Sequence, residues 1–588
     1  MKQQIFGTPF HLTKAVRPLA LLATLLVLSG CANQQQAQSD APEQVADTTT
    51  AEIGSGPTSA AAAPLDGKSF FNIFAAEMAL AVGNTELALR LYLTQLEEQP
   101  DVGVAKRVVS LADSMGAFPN MANAAEIWLE AEPNNPLVHL ALATSLYQMH
   151  HFDLVDTPLL RLIALNPDFP VETIFDPVMP EGGDPLALEA LFNRLLIAEP
   201  KAAGFHLGYG QWLHQQARYD EAKQALQASI KYQNSVSAQV LLGRTEMRLS
   251  DAESAAKVVK KALKAFPNNR RLVVQYARYA SMAHQAEKAM DVLESYHRLQ
   301  PDDHPLLSLY ARVAIEVEAY ETARRLYENL LTFQPAVNEA LFFLGSIALD
   351  EGRLESAMSY FRQVTPSDYF EPALSALIST VTNENGVESA IDELQAAKNR
   401  FPDQLSIYRE HARLLSIVSD FSGALTVLNE GLAIDENNNA LLYARAITYA
   451  GLNNTPASIV DLERIIEQDP DHVLALNALG YTLADANQDL SRAWDLIQRA
   501  YAIDPNDPAI VDSLGWIHYR RGELQEAEHF LAWAFNETKN HEIAAHLGEV
   551  LWVTGRREAA EAVWLEGLEQ SPGSDIILDT RARLLGLQ

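Results

Sequence analysis

The sequence predicts an all-α chain folded as a superhelical solenoid of about 13–15 stacked helix pairs, on three observations. First, a small residue recurs at Ala88, Ala124, Ala222, Ala255, Ala289, Ala323, Ala357, Ala390, Ala424, Ser458, Ala493, Ala527 and Ala560, in steps of 33 to 35 residues from Ala222 onward. Second, twelve residues earlier there is often a further Gly or Ala, as at Gly210, Gly243, Ala277, Ala311, Gly345, Ala412, Ala446, Gly515 and Gly548. Third, a bulky residue follows four places later, such as Tyr92, Trp128, Tyr327, Phe361, Leu428 or Trp564, and a proline often follows twelve later. Small residues let two helices cross closely, the large one fills the remaining gap, and proline stops the second helix.

The chain begins differently. Residues 1–30 hold Lys2, Lys14 and Arg17 with no acid, then an apolar run over 19–28, the build of an export signal too short to span a bilayer. It ends in Leu28-Ser29-Gly30-Cys31, which resembles the bacterial lipobox; the resemblance implies cleavage before Cys31 and acylation of that cysteine. Ala32 in place of an aspartate implies, by lipoprotein sorting rules, the periplasmic face of the outer membrane. More than one acyl chain gives stable anchoring.

Residues 31–66 are rich in Gln, Ala, Asp, Thr, Ser and Pro with few large apolar side chains, so a disordered tether is expected after the acylated cysteine. Helical repeats are expected over 69–166, a Pro/Gly-rich break at 167–185 that lets the first module swing, the main array over 186–572 and a capping helix over 573–588.

The chain has 588 residues, 44 Lys and Arg against 76 Asp and Glu, and a net charge of −32, which disfavours nucleic acid as a partner. Loss of the leader makes it −35. One cysteine excludes an intramolecular disulfide or a cysteine-rich metal site. His541, Glu542 and His546 imitate a zinc motif, but the histidines are five apart, off one helical face. Gly208-Tyr209-Gly210 lacks the third glycine of a dinucleotide loop. No catalytic residue, cofactor or metal is expected, and the chain is read as binding rather than transforming its partners.

Three sets of residues are candidate contacts. In the 69–82 segment, Phe70, Phe71, Phe74 and Met78 spread apolar surface around a terminal helix, where a repeat array should present a polar face. Arg244, Arg278 and Arg312 follow one another at steps of 34, just after the Gly/Ala position; Arg248, Arg271 and Arg413 join them, suiting carboxylate recognition unless they pair with the chain's own acids. Tyr443, Tyr481, Trp516, Tyr519 and Trp552 then take over the same face as candidate contacts for a protein, and Trp516 and Trp552 serve equally well as wedges between units.

The helix pairs resemble tetratricopeptide repeats in residue type, order and spacing. The runs AEMALAVGNTELALRLY, DVGVAKRVVSLADSMG, ALNALGYTLAD, DPAIVDSLGWIHYRRGELQEAE and HEIAAHLGEVLW resemble the tetratricopeptide-repeat outer-membrane lipoproteins that partner a carboxyl-terminal processing protease. That resemblance implies an adaptor that binds the serine protease and presents protein substrates such as peptidoglycan endopeptidases. It would place Phe70, Phe71, Phe74 and Met78 on the protease and the arginines and aromatics on substrate. A repeat scaffold for envelope assembly or for polysaccharide or pilus export is the alternative.

Overall fold

A computed structural model describes residues 67–175 and 181–586. The expected signal, acylated Cys31 and tether therefore lie outside the described residues. Everything regular among the described residues is helical: fourteen antiparallel α-helix pairs run from Gly67–Ala81 with Thr85–Glu98 to His541–Val553 with Arg557–Gln570. Helix Pro185–Ala198 stands apart from this pairing, and Asp575–Leu585 ends the array with Ser574 as its N-cap. The fold is a tetratricopeptide-repeat solenoid, as the sequence predicts. No helix among the described residues is long and apolar enough to cross a membrane.

The 34-residue rule has a direct steric cause. A Cβ added to Gly548 on the first helix of the last pair would stand 2.0 Å from Nε1 of Trp564 on the second. At Gly515 it would meet Leu531 at 2.6 Å, and at Gly345 it would meet Phe361 at 2.6 Å. In each case the bulky residue four places after the small one occupies the space a side chain would need, so the two helices approach as close packing demands. Asn, Asp and Ser N-caps start many of the helices, among them Asn84, Asp101, Ser235, Asp251 and Asn540. Most turns joining the helices of a pair hold a residue at positive φ, the turn at Ser250 and Asp251 being an exception. Glycine supplies it at 83, 116, 352, 522 and 555; His150, Ala217, His284, Ser419 and Asn453 adopt it with a side chain.

By compactness the described residues form two units, 67–326 and 327–586, and the division falls inside helix Tyr320–Leu330. The described part of the Pro/Gly-rich stretch is packed against its neighbours. Val171–Phe175 forms a 3-10 turn there, and Val171, Ile174 and Phe175 are buried in one apolar cluster with Tyr147 and Leu159 before it and Leu191 and Trp212 after it. A Cβ at Gly204 would meet Val171 at 2.5 Å, and one at Gly208 would meet Phe175 at 2.5 Å. Gly208, the first glycine of the failed dinucleotide loop, thus seats this turn together with Gly204.

Candidate protein-binding sites

The first helix, Gly67–Ala81, carries large apolar side chains on its outer face. Ser69, Asn72, Ala76 and Ala79 form its buried side. Gln95 donates to Ser69 Oγ at 3.0 Å, Ser69 donates to Gln99 at 3.1 Å, and Asn72 donates to Gln95 at 3.4 Å. On the outside Phe70, Phe71, Phe74 and Met78 are 61, 63, 55 and 51 % exposed. The rings of Phe70 and Phe74 lie nearly parallel, with centroids 6.0 Å apart. Glu77 fixes the helix against its neighbours, accepting from Tyr92 Oη at 2.5 Å and Arg107 Nη2 at 3.0 Å. The hydrogen bonds from Arg107 and then Tyr92 hold its carboxyl below the usual carboxylate range. The seat is mixed, since Ala76 joins the apolar core and Ile73 and Leu80 pack against it, so the helix is apolar on its outer face as well as its inner one, and the outer face is a candidate contact surface.

The arginines divide into groups. Arg244, Arg248 and Arg271 are exposed and make no ion pair among the described residues. Arg244 and Arg248 share one face of helix Val236–Leu249, one turn apart, close to His214 of helix Ala203–Gln215. Burial first, then the charges of Arg244 and Arg248, lower the pKa of His214, whose Nδ1 lies 3.0 Å from Thr245 Oγ1. With its amide turned to donate to Val240 O, Gln275 accepts from Arg244 Nε at 3.3 Å. Arg278 and Arg312 are half-buried and have partners within the fold. Arg413 takes the self-paired course, gripped by Glu410 one turn away at 2.9 and 3.0 Å. A free carboxylate thus finds two unpaired guanidinium groups at Arg244 and Arg248, and none at Arg413.

The aromatic positions belong to the unit 327–586, where Tyr481 differs from the expected exposed face and Trp516 takes the wedge course of its two readings. Both are buried, 8 and 4 % exposed, in an apolar cluster that includes Leu479, Ile510 and Leu514. His546 lies between them: its Nε2 is 3.2 Å from Tyr481 Oη, and its ring stacks on Trp516 at 4.3 Å. Asp512 accepts from His546 Nδ1, with oxygens at 2.9 and 3.1 Å. Trp516 is thus a wedge between repeats. Trp552 is half-buried, 5.7 Å from the Trp564 ring, with the Arg557 guanidinium 5.0 Å over its own. Tyr519 donates to Glu549 at 3.0 Å, and Tyr443 is partly buried with its hydroxyl pKa pushed up to about 12 by burial.

The histidine cluster escaped the sequence reading, which took His541 and His546 only as a failed zinc pair. His541 faces Ser574 at 2.9 Å, and His546 faces Asp512. The useful signal was distance along the chain: Asp512 and His546 are 34 residues apart, one repeat period, as are Glu549 and Arg583. Side chains one period apart lie on neighbouring first helices of a stacked array and so come into reach of each other.

Comparison with known proteins gives the same architecture. The tetratricopeptide domain of cytochrome c-type biogenesis protein H matches residues 223–341, and tetratricopeptide-repeat models match 443–508 and 339–365. The tetratricopeptide-repeat-containing protein PA4667 of Pseudomonas aeruginosa is 35% identical over 537 residues, covering 91% of this chain and 90% of its own. A tetratricopeptide-repeat protein of Parabacteroides merdae is 16% identical, covering 42% of this chain and 98% of its own at a TM-score of 0.35. Yeast Tom70 is 14% identical, covering 78% and 96% at a TM-score of 0.30. Tetratricopeptide-repeat proteins bind protein partners, and their fold is typically a non-catalytic scaffold. With its repeat register and the near full-length likeness to PA4667, the chain belongs to the tetratricopeptide-repeat protein family that includes Pseudomonas aeruginosa PA4667.

Proposed function

We propose that the protein is a non-catalytic adaptor, held on the periplasmic face of the outer membrane by lipid on Cys31, that binds a carboxyl-terminal processing protease and presents protein substrates such as peptidoglycan endopeptidases to it. The exposed apolar face of helix Gly67–Ala81 carries this reading: Phe70, Phe71, Phe74 and Met78 are a ready-made apolar anchor set at the end of the array. Arg244 and Arg248 supply carboxylate-gripping groups away from that helix, which suits a second partner. Holding protease and substrate on one scaffold raises the concentration each sees of the other, so rate rises without any chemistry from the scaffold.

The test is a cross-linked pull-down of the acylated protein from its native envelope, beside the Phe70→Ser, Phe71→Ser, Phe74→Ser variant. Recovery of a periplasmic carboxyl-terminal processing protease with the first and its loss with the second is the expected result. Recovery of export or assembly components with no protease would overturn the adaptor reading.

A further inference from the structure

The negative charge of the chain is unevenly spread. Between Lys223 and Arg278 there are eleven Lys and Arg against three Asp and Glu, a net charge of +8 inside a chain of net −32. The densest part is helix Ala252–Ala265, AESAAKVVKKALKA. Its buried side is Ala255, Ala256, Val259, Ala262 and Leu263, which leaves Lys257, Lys260, Lys261 and Lys264 exposed along one outer stripe. That stripe is about 10 Å long at the helical rise per residue. Lys257 pairs with Glu253 at 2.9 Å and Lys260 lies over the Tyr276 ring at 5.7 Å, while Lys261 and Lys264 have no acid partner among the described residues. Neighbouring lysines three and four apart repel one another, so the fold alone gives no reason to collect four of them.

We infer that this lysine stripe is a docking surface for an anionic phospholipid bilayer, on which the anchored protein lies; the inference rests on the lipid-anchor reading of Cys31. The surface fits diffuse phosphates better than it fits a protein. No large hydrophobic residue between Tyr232 and Leu299 is prominently exposed, and protein interfaces take their affinity from buried apolar or aromatic anchors. Lysine is a compact point charge on a flexible stem, suited to mobile headgroups. Each lysine near an anionic leaflet strengthens binding about fivefold, so four give on the order of several hundredfold, weak alone and sufficient once an anchor holds the chain nearby. The next second helix, Ala286–Leu299, carries Glu287, Asp291 and Glu294, and repulsion from the acidic remainder is screened beyond about 8 Å at physiological salt.

The experiment uses the full mature chain with Cys31→Ser, so that no acyl chain contributes, in sedimentation with vesicles of phosphatidylcholine and phosphatidylglycerol in equal parts, and of phosphatidylcholine alone. Binding to the anionic vesicles only, weakened by salt, is expected. The K257Q, K260Q, K261Q, K264Q variant loses at least about tenfold, and the matching four-arginine variant keeps its binding. Equal binding by the glutamine variant, or equal binding to both vesicles, overturns the inference. So does capture of polyglutamate by the stripe without vesicle binding, which would make the occupant an acidic polypeptide. Incorporation of labelled palmitate at Cys31 in the native chain tests the anchor separately, so a failed anchor and a failed stripe are told apart.

Discussion

Asp512 holds Nδ1 of His546 with both carboxylate oxygens, at 2.9 and 3.1 Å, inside the unit 327–586. Burial alone lowers the pKa of this histidine, but the charge of Asp512 and the hydrogen bond to it outweigh burial and hold the value above 6.5. A raised folded-state pKa gives stability that is full below the unfolded value and lost as pH rises through the folded one. Thermal melts should therefore weaken as pH rises from 6.5 upward. Asp512→Asn removes the charge and leaves a buried histidine that resists protonation, so the slope reverses and stability falls as pH drops. The unit should lose about 3–5 kcal/mol in Asp512→Ala, the cost of breaking a buried pair from one side. Unchanged pH slopes in both variants would refute this account.

Trp564 sits where a Cβ of Gly548 would stand. Gly548→Ala should destabilise by about 1–3 kcal/mol in urea unfolding, the usual cost of overpacking a core. Trp564→Leu costs stability alone through its cavity but opens the space, so the double variant should recover part of the loss. Strict additivity would mean that the two residues do not share that space.

The repeat register was legible because Gly548 with Trp564, or Gly345 with Phe361, encodes helix crossing in residue size alone. Side-chain fate was less so. Trp516 and Trp552 have equivalent sequence signals, yet one is buried against His546 and the other half-exposed, because burial depends on what the adjacent repeat contributes. Arg413 looked like Arg244 until Glu410 proved to hold it. Within the Pro/Gly-rich stretch at 167–185, Phe175 fits over Gly208, a long-range contact that no local pattern carries.

Turn residues give a stabilising prediction. Ala217 occupies the pair turn at φ 57°, where a Cβ is strained and Gly522 or Gly555 is relaxed. Ala217→Gly should stabilise by about 0.5–1 kcal/mol, and Gly555→Ala should cost about 1–2 kcal/mol, read from urea midpoints. A loss of stability in Ala217→Gly would show that backbone entropy outweighs the relieved strain.

Arg244 and Arg248 can be tested through His214, whose pKa they lower after burial has done so first. In the Arg244→Gln, Arg248→Gln variant the histidine should titrate higher, part of the way back to its ordinary value, by NMR. Binding of an acidic peptide should weaken in the same variant and stay unchanged in Arg413→Gln, whose guanidinium is already held by Glu410. A peptide indifferent to Arg244 and Arg248 would remove these arginines from the substrate face.

The two faces of helix Gly67–Ala81 separate stability from binding. Phe70 and Phe74 are 61 and 55 % exposed, so Phe70→Ser with Phe74→Ser should change folding stability by no more than about 0.5 kcal/mol while weakening partner capture. Ala76, fully buried on the opposite side, should respond the other way: Ala76→Leu overpacks the seat and costs about 1–3 kcal/mol. Paired urea unfolding and partner titration decide the matter. If the serine variant lost stability as Ala76→Leu does, the phenylalanines would be part of the fold, and the outer face of this helix would no longer argue for a partner.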